Sequence, residues 1–148
     1  MTGLAHLTPE SPLFRAYLFW SALLVVKTTT MSFLTSRHRR AKGVCSNPED
    51  AKSRGAKIIF DDPDVERVRR AHRNDLENIL PFLILCPIYL ATGPTVWVAT
   101  NVIRTFGIAR IAHTVLYLNE VPGVRGLAFI VGVADTLFMA GSTIMYAC

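Results

Sequence analysis

Arg70, Arg73, Asn74 and Glu77 fall at i, i+3, i+4 and i+7, and Arg110, His113, Thr114 and Tyr117 repeat that spacing farther along the chain. On a helix such positions share one face, so each set forms a stripe. The first stripe offers two guanidinium forks, an amide and a carboxylate; the second adds a guanidinium, an imidazole, a hydroxyl and a phenol. Facing one another, they suit a small zwitterion, with carboxylates against the guanidinium groups, an ammonium against Glu77, and a polar middle against Asn74 and Thr114. A plainer reading of the first stripe is a solvated helix base with internal Arg and Glu pairs. For Arg110 it is a buried ion pair with Glu77 or Asp135 that fixes the register of a bundle. His113 and Tyr117, taken alone, read as hydrogen-bonded core and interface aromatics, and Arg104 lies off the stripe.

The elements that must carry these stripes are read from composition and apolar runs. The chain has 148 residues, 51 % hydrophobic and 18 % charged, against roughly 25 % charged in a typical soluble domain. Disorder is excluded. Cys45, Cys86 and Cys148 share no short spacing, which excludes a C-x-x-C redox pair, a zinc knuckle and a disulfide framework, and no metal site is expected. Apolar runs cover about 14–35, 79–92, 94–118 and 124–147, where a membrane-crossing helix needs about 20 residues. The second run is short, but 65–78 contains neither glycine nor proline, so one helix over 65–92 can enter the membrane with charge at its base. The expectation is an all-α integral membrane chain, a single domain over 1–148 with four helices running up and down. Gly93-Pro94 makes one turn, and 36–64 forms the long loop.

The formal charge of +5 sits between the apolar runs, so it speaks for membrane orientation rather than nucleic acid. Arg37, Arg39, Arg40, Lys42, Lys52, Arg54 and Lys57 put the loop after the first span in the cytosol, with attraction to anionic lipid as a further effect. Both termini then face the other side. Arg110 lies near mid-span, where an arginine costs about 2.5 to 3.5 kcal/mol on insertion scales, so it must face a partner or a water-filled cavity. No soluble catalytic signature such as G-x-S-x-G, H-E-x-x-H or a glycine-rich phosphate loop occurs. Glutathione, with two carboxylates, one ammonium and a thiol, has the charge pattern that the stripes call for. An arginine near its sulfur would favour thiolate over thiol.

Four segments carry a resemblance. These are Asn47-Pro48-Glu49-Asp50; Asp62-Pro63-Asp64-Val65-Glu66-Arg67; Arg70-Ala71-His72-Arg73-Asn74-Asp75-Leu76-Glu77-Asn78-Ile79 with Pro81-Phe82; and Ala109-Arg110-Ile111-Ala112-His113-Thr114 with Tyr117-Leu118. Together they closely resemble the membrane-associated proteins in eicosanoid and glutathione metabolism, in order from Lys27 to about Phe129. The resemblance implies a four-helix subunit of the endoplasmic reticulum membrane, assembled as a homotrimer, with glutathione bound between neighbouring subunits on the cytosolic side. It implies glutathione contacts from Arg39 of one subunit and from Arg70, Arg73, Asn74, Glu77, His113 and Tyr117 of its neighbour, with Arg110 and Thr114 lining the same cavity. Arg125 matches the arginine placed near the reacting thiol, and Asp50 matches the carboxylate proposed to work with it.

Two branches of that family compete, glutathione transferase and prostaglandin E synthase. The implied partner is a lipophilic electrophile in the first case and prostaglandin H2 in the second. The short loop from Asp50 to Asp62 and Arg73 resemble the synthase branch, and Val65 to Arg70 with Leu76 to Ile79 resemble the transferase branch. Gly126 and Phe129 stand where the synthase branch has hydroxyl-bearing residues, so Arg125 would have to stabilise a thiolate alone. Two other classes stay open: a transporter using Arg110, His113 and Asp135 as a polar pathway, and a non-catalytic partner that presents lipid to another enzyme.

Overall fold

Each helix is bounded by residues suited to the task. The computed structural model describes residues 6–148. Helix α1, Pro12–Lys42, starts on Ser11, whose hydroxyl accepts from the backbone N–H of Phe14 at 3.5 Å, and has proline in its first turn. It stops at Gly43, which turns left-handed at φ 64°, after a last turn carrying Arg39, Arg40 and Lys42 at the negative end of the helix dipole. Its 31 residues span about 46 Å at 1.5 Å per residue, against about 30 Å of hydrocarbon in a bilayer, so the basic end stands clear of the apolar zone.

The expected loop at 36–64 is therefore largely ordered. Its first part is the end of α1, and it holds a short helix α2, Pro48–Arg54. Strands β1, Val44–Cys45, and β2, Lys57–Ile58, flank α2 and pair in parallel with Val44 opposite Lys57 and Cys45 opposite Ile58. Two-residue strands have no alternation to read, which is why the sequence shows only a loop there. Lys42 Nζ lies 2.5 Å from Asp64 Oδ2 and ties the end of α1 to the next long helix. That contact holds the Asp64 carboxyl below the usual carboxylate range and pushes the Lys42 ammonium up.

Helix α3, Pro63–Ala91, begins on Asp62, whose Oδ1 accepts from the N–H groups of Asp64 and Val65 at 3.1 Å each. It runs through Pro81 and Pro87. Helix α4, Val96–Leu118, follows the Gly93-Pro94 turn, and α5, Val124–Ala147, follows Gly123. The four long helices pack on one another, making an all-helical chain of five helices among the described residues.

Two apolar clusters hold them. The larger joins Leu13 and Leu24 of α1, Ile79, Phe82, Cys86, Tyr89 and Leu90 of α3, Ala99, Ile103 and Phe106 of α4, and Met139 of α5. Phe82 and Phe106 stack there with centroids 4.1 Å apart. The smaller joins Met31, Val68 and Ala71. Close approaches depend on two glycines. A Cβ on Gly107 would lie 2.1 Å from the Trp20 ring, and one on Gly132 would lie 3.1 Å from Cδ of Arg110.

By length and composition, α1 and α5 can cross a membrane. Both leave large apolar side chains exposed, among them Phe19, Val26 and Phe33 on α1 and Leu127, Ile130 and Leu137 on α5. Such surfaces need a cover of hydrocarbon or protein.

Candidate functional site

Between the two apolar clusters lies a polar layer, at the level where Lys27 of α1, Asp75 of α3 and Arg110 of α4 come together. Asp75 is its centre and has no exposed surface. Its Oδ1 accepts from Lys27 Nζ and, at 3.1 Å, from the Thr114 hydroxyl, and it lies 3.6 Å from Nη2 of Arg110. Arg110, also fully buried, donates through Nη2 to the side-chain oxygen of Asn74. Two cations and one carboxylate thus share a buried layer, where an unpaired charge is expensive. Nε and Nη1 of Arg110 have no protein partner among the described residues. Ordered water ordinarily meets buried groups of this kind.

Arg110 therefore pairs with Asp75, not with Glu77 or Asp135 as its plainer reading had it. Glu77 faces outward, 3.7 Å from Arg73 on the next turn of α3, and both are mostly exposed. Asp135 is half-buried with one carboxylate oxygen unpartnered among the described residues. Asp75 lies outside the first stripe, which is why spacing passed over it. The signal that points to it is Lys27, a lone charge in an apolar span, which requires a carboxylate somewhere within reach.

The two stripes do meet. Because α3 and α4 run antiparallel, the start of one stripe faces the end of the other: Arg70 Nε donates to the Tyr117 hydroxyl at 3.3 Å, and Arg110 reaches Asn74 one turn deeper. Arg70, Arg73 and Glu77 are exposed, Asn74 is half-buried, and Arg110, His113 and Thr114 are buried behind them. The stripes thus form an outer row and an inner row.

Arg125 closes the upper end of this arrangement. It sits in the first turn of α5, and its guanidinium carbon lies 4.7 Å from the centroid of the Tyr117 ring. The ring's negative face offsets the unfavourable placing of a cation at the positive end of a helix. His113 fixes this turn, donating from Nδ1 to the backbone oxygen of Arg125 at 2.9 Å. Gly123, at φ 74°, makes the bend that a side chain would strain. Arg70, Tyr117 and Arg125 so form a chain of contacts open on one side to an anion.

Arg39 and Asp50 stand apart from this group. Arg39 donates to the hydroxyl of Ser46, and Asp50 lies 3.2 Å from Nδ2 of Asn47 and 3.9 Å from Arg54. Both line a cavity of about 400 Å³ with Ser36, Cys45, Ser46, Asn47 and Arg54. No hydrogen bond, ion pair or ring contact among the described residues joins Arg39 or Asp50 to Arg70, Tyr117 or Arg125. Residue 126 is glycine, and a Cβ there would meet nothing within 4 Å. The Phe129 ring lies 6.0 Å from that of His113.

Comparison with known proteins agrees with the resemblance carried by the motifs. The model of the MAPEG family matches residues 17–145. The chain is 41 % identical over 146 residues to microsomal glutathione S-transferase 1 of Bos taurus, covering 95 % of this chain and 94 % of that protein. It is 42 % identical over 137 residues to microsomal glutathione S-transferase 1 of Sus scrofa, covering 88 % of each. It is 44 % identical over 118 residues to prostaglandin E synthase of Homo sapiens, covering 78 % of each.

Proposed function

The chain belongs to the MAPEG family, and from that premise we propose that it is a glutathione-dependent membrane enzyme that turns the glutathione sulfur on a lipophilic electrophile beside Arg125. The observation that carries the role of Arg125 is its setting: a half-buried guanidinium in the first turn of a 24-residue helix, stacked on Tyr117 next to Arg70. Two guanidinium groups and the positive end of a helix make one electropositive spot. A cysteine-like thiol of pKa about 8.5 is driven toward thiolate in such surroundings. With hydroxyl groups absent at Gly126 and Phe129, that stabilisation falls to Arg125.

The residues present fit the tripeptide. Arg70 and Arg73 expose guanidinium forks for its two carboxylates, Glu77 answers its ammonium, and Asn74 and Tyr117 supply the polar middle, with His113, Thr114 and Arg110 buried behind them. The pairing of Arg73 with Glu77 is exposed, and such pairs contribute about 0 to 1 kcal/mol, so ligand charges can replace it readily. Bound there, glutathione supplies a soft nucleophile. In the transferase branch the sulfur adds to an activated carbon, or it takes the outer oxygen of a lipid hydroperoxide as the O–O bond breaks and the lipid alcohol leaves, and a second glutathione then forms the disulfide with loss of water. In the synthase branch it attacks a peroxide oxygen of prostaglandin H2 and the O–O bond breaks; Asp50 takes the proton from the carbon bearing the attacked oxygen, and the carbonyl forms as the S–O bond breaks and the glutathione thiolate leaves.

Arg39 and Asp50 stand apart from Arg125 within one chain; they join this site when a neighbouring copy brings them, as in the homotrimer that the motif resemblance implies. The membrane is that of the endoplasmic reticulum, crossed by α1, α5 and the apolar parts of α3 and α4, with the single domain 1–148 presenting the site toward the cytosol. The basic end of α1 and the α2 segment would then lie on the cytosolic side.

The deciding experiment follows prostaglandin E2 formed and glutathione lost in one tube containing purified protein and prostaglandin H2. Prostaglandin E2 well above the uncatalysed rate with glutathione conserved identifies the synthase activity. Consumption of glutathione, with conjugation of an aryl halide, identifies the transferase activity. Failure of both would refute the enzyme reading.

A further inference from the structure

Resting on the glutathione reading, we propose that Arg110 is a positioning residue: it fixes the side-chain amide of Asn74 with its oxygen inward, so that the amide N–H donors face the bound ligand. A guanidinium has only donors, so the amide atom turned toward it must be the oxygen. Nη2 of Arg110 donates to that Oδ1 and also reaches the backbone oxygen of Asn74 at 3.4 Å. The nitrogen of the amide is then left on the other side, where it donates to no protein group among the described residues.

Burial separates the two roles. Arg110 has no exposed surface, whereas Asn74 is half-buried on the outer row between the exposed Arg70, Arg73 and Glu77. A ligand lying along that row meets the amide before it meets the guanidinium. Behind Arg110 stands Asp75, and behind Asp75 stand Lys27 and Thr114, so the orientation of one surface amide is set by a chain of contacts reaching back to α1. Without Arg110 the two ends of the amide are nearly the same in shape, and either could face outward. With it, Asn74 presents donors only, which suits a peptide carbonyl or a carboxylate and rejects a ligand group that must itself donate.

The test measures the glutathione dissociation constant and the melting temperature of the full chain in detergent. Asn74→Asp keeps the inward oxygen and replaces the outward N–H donors by an acceptor; affinity is expected to fall about tenfold or more. Arg110→Met keeps the stem and removes the donors, while Lys27 still balances Asp75. It should lose affinity several-fold, and the double variant should bind no worse than Asn74→Asp alone to within about twofold. Arg110→Lys retains a donor and should recover much of the loss.

Losses that multiply in the double variant would mean that Arg110 touches the ligand itself, and would overturn the proposal. A changed melting temperature with unchanged affinity in Arg110→Met would reduce Arg110 to a structural role and overturn it equally. If Arg110→Met does not fold, Arg110→Lys decides, since loss of affinity as large as that of Asn74→Asp contradicts positioning by a donor. No binding of glutathione by the unaltered chain would instead refute the reading on which the proposal rests.

Discussion

Replacing Asp75 by asparagine tests the polar layer with almost no change of shape. The carboxylate is fully buried and is the counter-charge for Lys27, 14 % exposed at its side chain, and for Arg110, fully buried. Asp75→Asn keeps an oxygen for the Thr114 hydroxyl but leaves two cations without an anion in a largely buried layer. Removing one partner of a buried ion pair costs about 3 to 5 kcal/mol. For a chain of this length that corresponds to a fall on the order of ten degrees in melting temperature. Lys27→Met leaves Asp75 balanced by Arg110, so it should cost less than Asp75→Asn. The double variant Lys27→Met/Asp75→Asn leaves one cation rather than two and should recover part of the loss. Thermal unfolding of the four proteins in the same detergent gives the cycle directly. If Asp75→Asn lies within about 1 kcal/mol of the unaltered chain, or if Lys27→Met is the worse of the two, Asp75 is not the counter-charge that holds the two cations.

Other changes have equally definite outcomes. Gly126→Ala meets nothing within 4 Å and should raise the melting temperature through helix propensity, whereas Gly132→Ala would press on the Arg110 stem at 3.1 Å and should lose that gain; equal effects in unfolding scans would contradict the close approach of α5. Glu77→Gln removes the partner of the ligand ammonium and should weaken glutathione binding several-fold by calorimetry, and unchanged affinity takes Glu77 out of the site. The exposed pair of Lys42 and Asp64 should contribute stability above the unfolded aspartate value of 3.8 and lose it as pH falls through the lowered native value; it should also lose it as pH rises past 10.5 through the raised lysine value. Unfolding of Asp64→Asn compared with the unaltered chain across pH should therefore show a difference that narrows at both extremes.

Much of this arrangement is legible in the sequence, and the exceptions have physical causes. The two stripes follow from helical spacing alone, and their antiparallel meeting at Arg70 with Tyr117 and Asn74 with Arg110 follows from a short turn between α3 and α4. Asp75 is not legible by spacing, because it sits beside Asn74 in a run of polar residues and nothing local distinguishes a buried carboxylate from a solvated one. Its burial is decided by Lys27, far off in the chain and on another helix. The extension of α1 to Lys42 was hidden by charge. Lysine and arginine end an apolar run without ending a helix, and it is Gly43 that stops the chain from continuing. The separation of Arg39 and Asp50 from Arg125 is not legible either, because it depends on how the end of α1 and α2 pack, and no helical spacing links 39 or 50 to 125.

The role proposed for Arg125, stabilising the reacting sulfur, is tested most directly by comparing glutathione binding and turnover in the unaltered chain and in Arg125→Leu, reading the thiolate absorbance of bound glutathione in both. A group that acts mainly on the reactive step should leave binding nearly intact and remove most turnover. Arg125→Leu should still bind glutathione, weakened only by the factor that the change in thiol pKa itself requires, show the thiolate only at more alkaline pH, and turn over little electrophile. Retained turnover, with the thiolate still present at neutral pH, would take that role from Arg125.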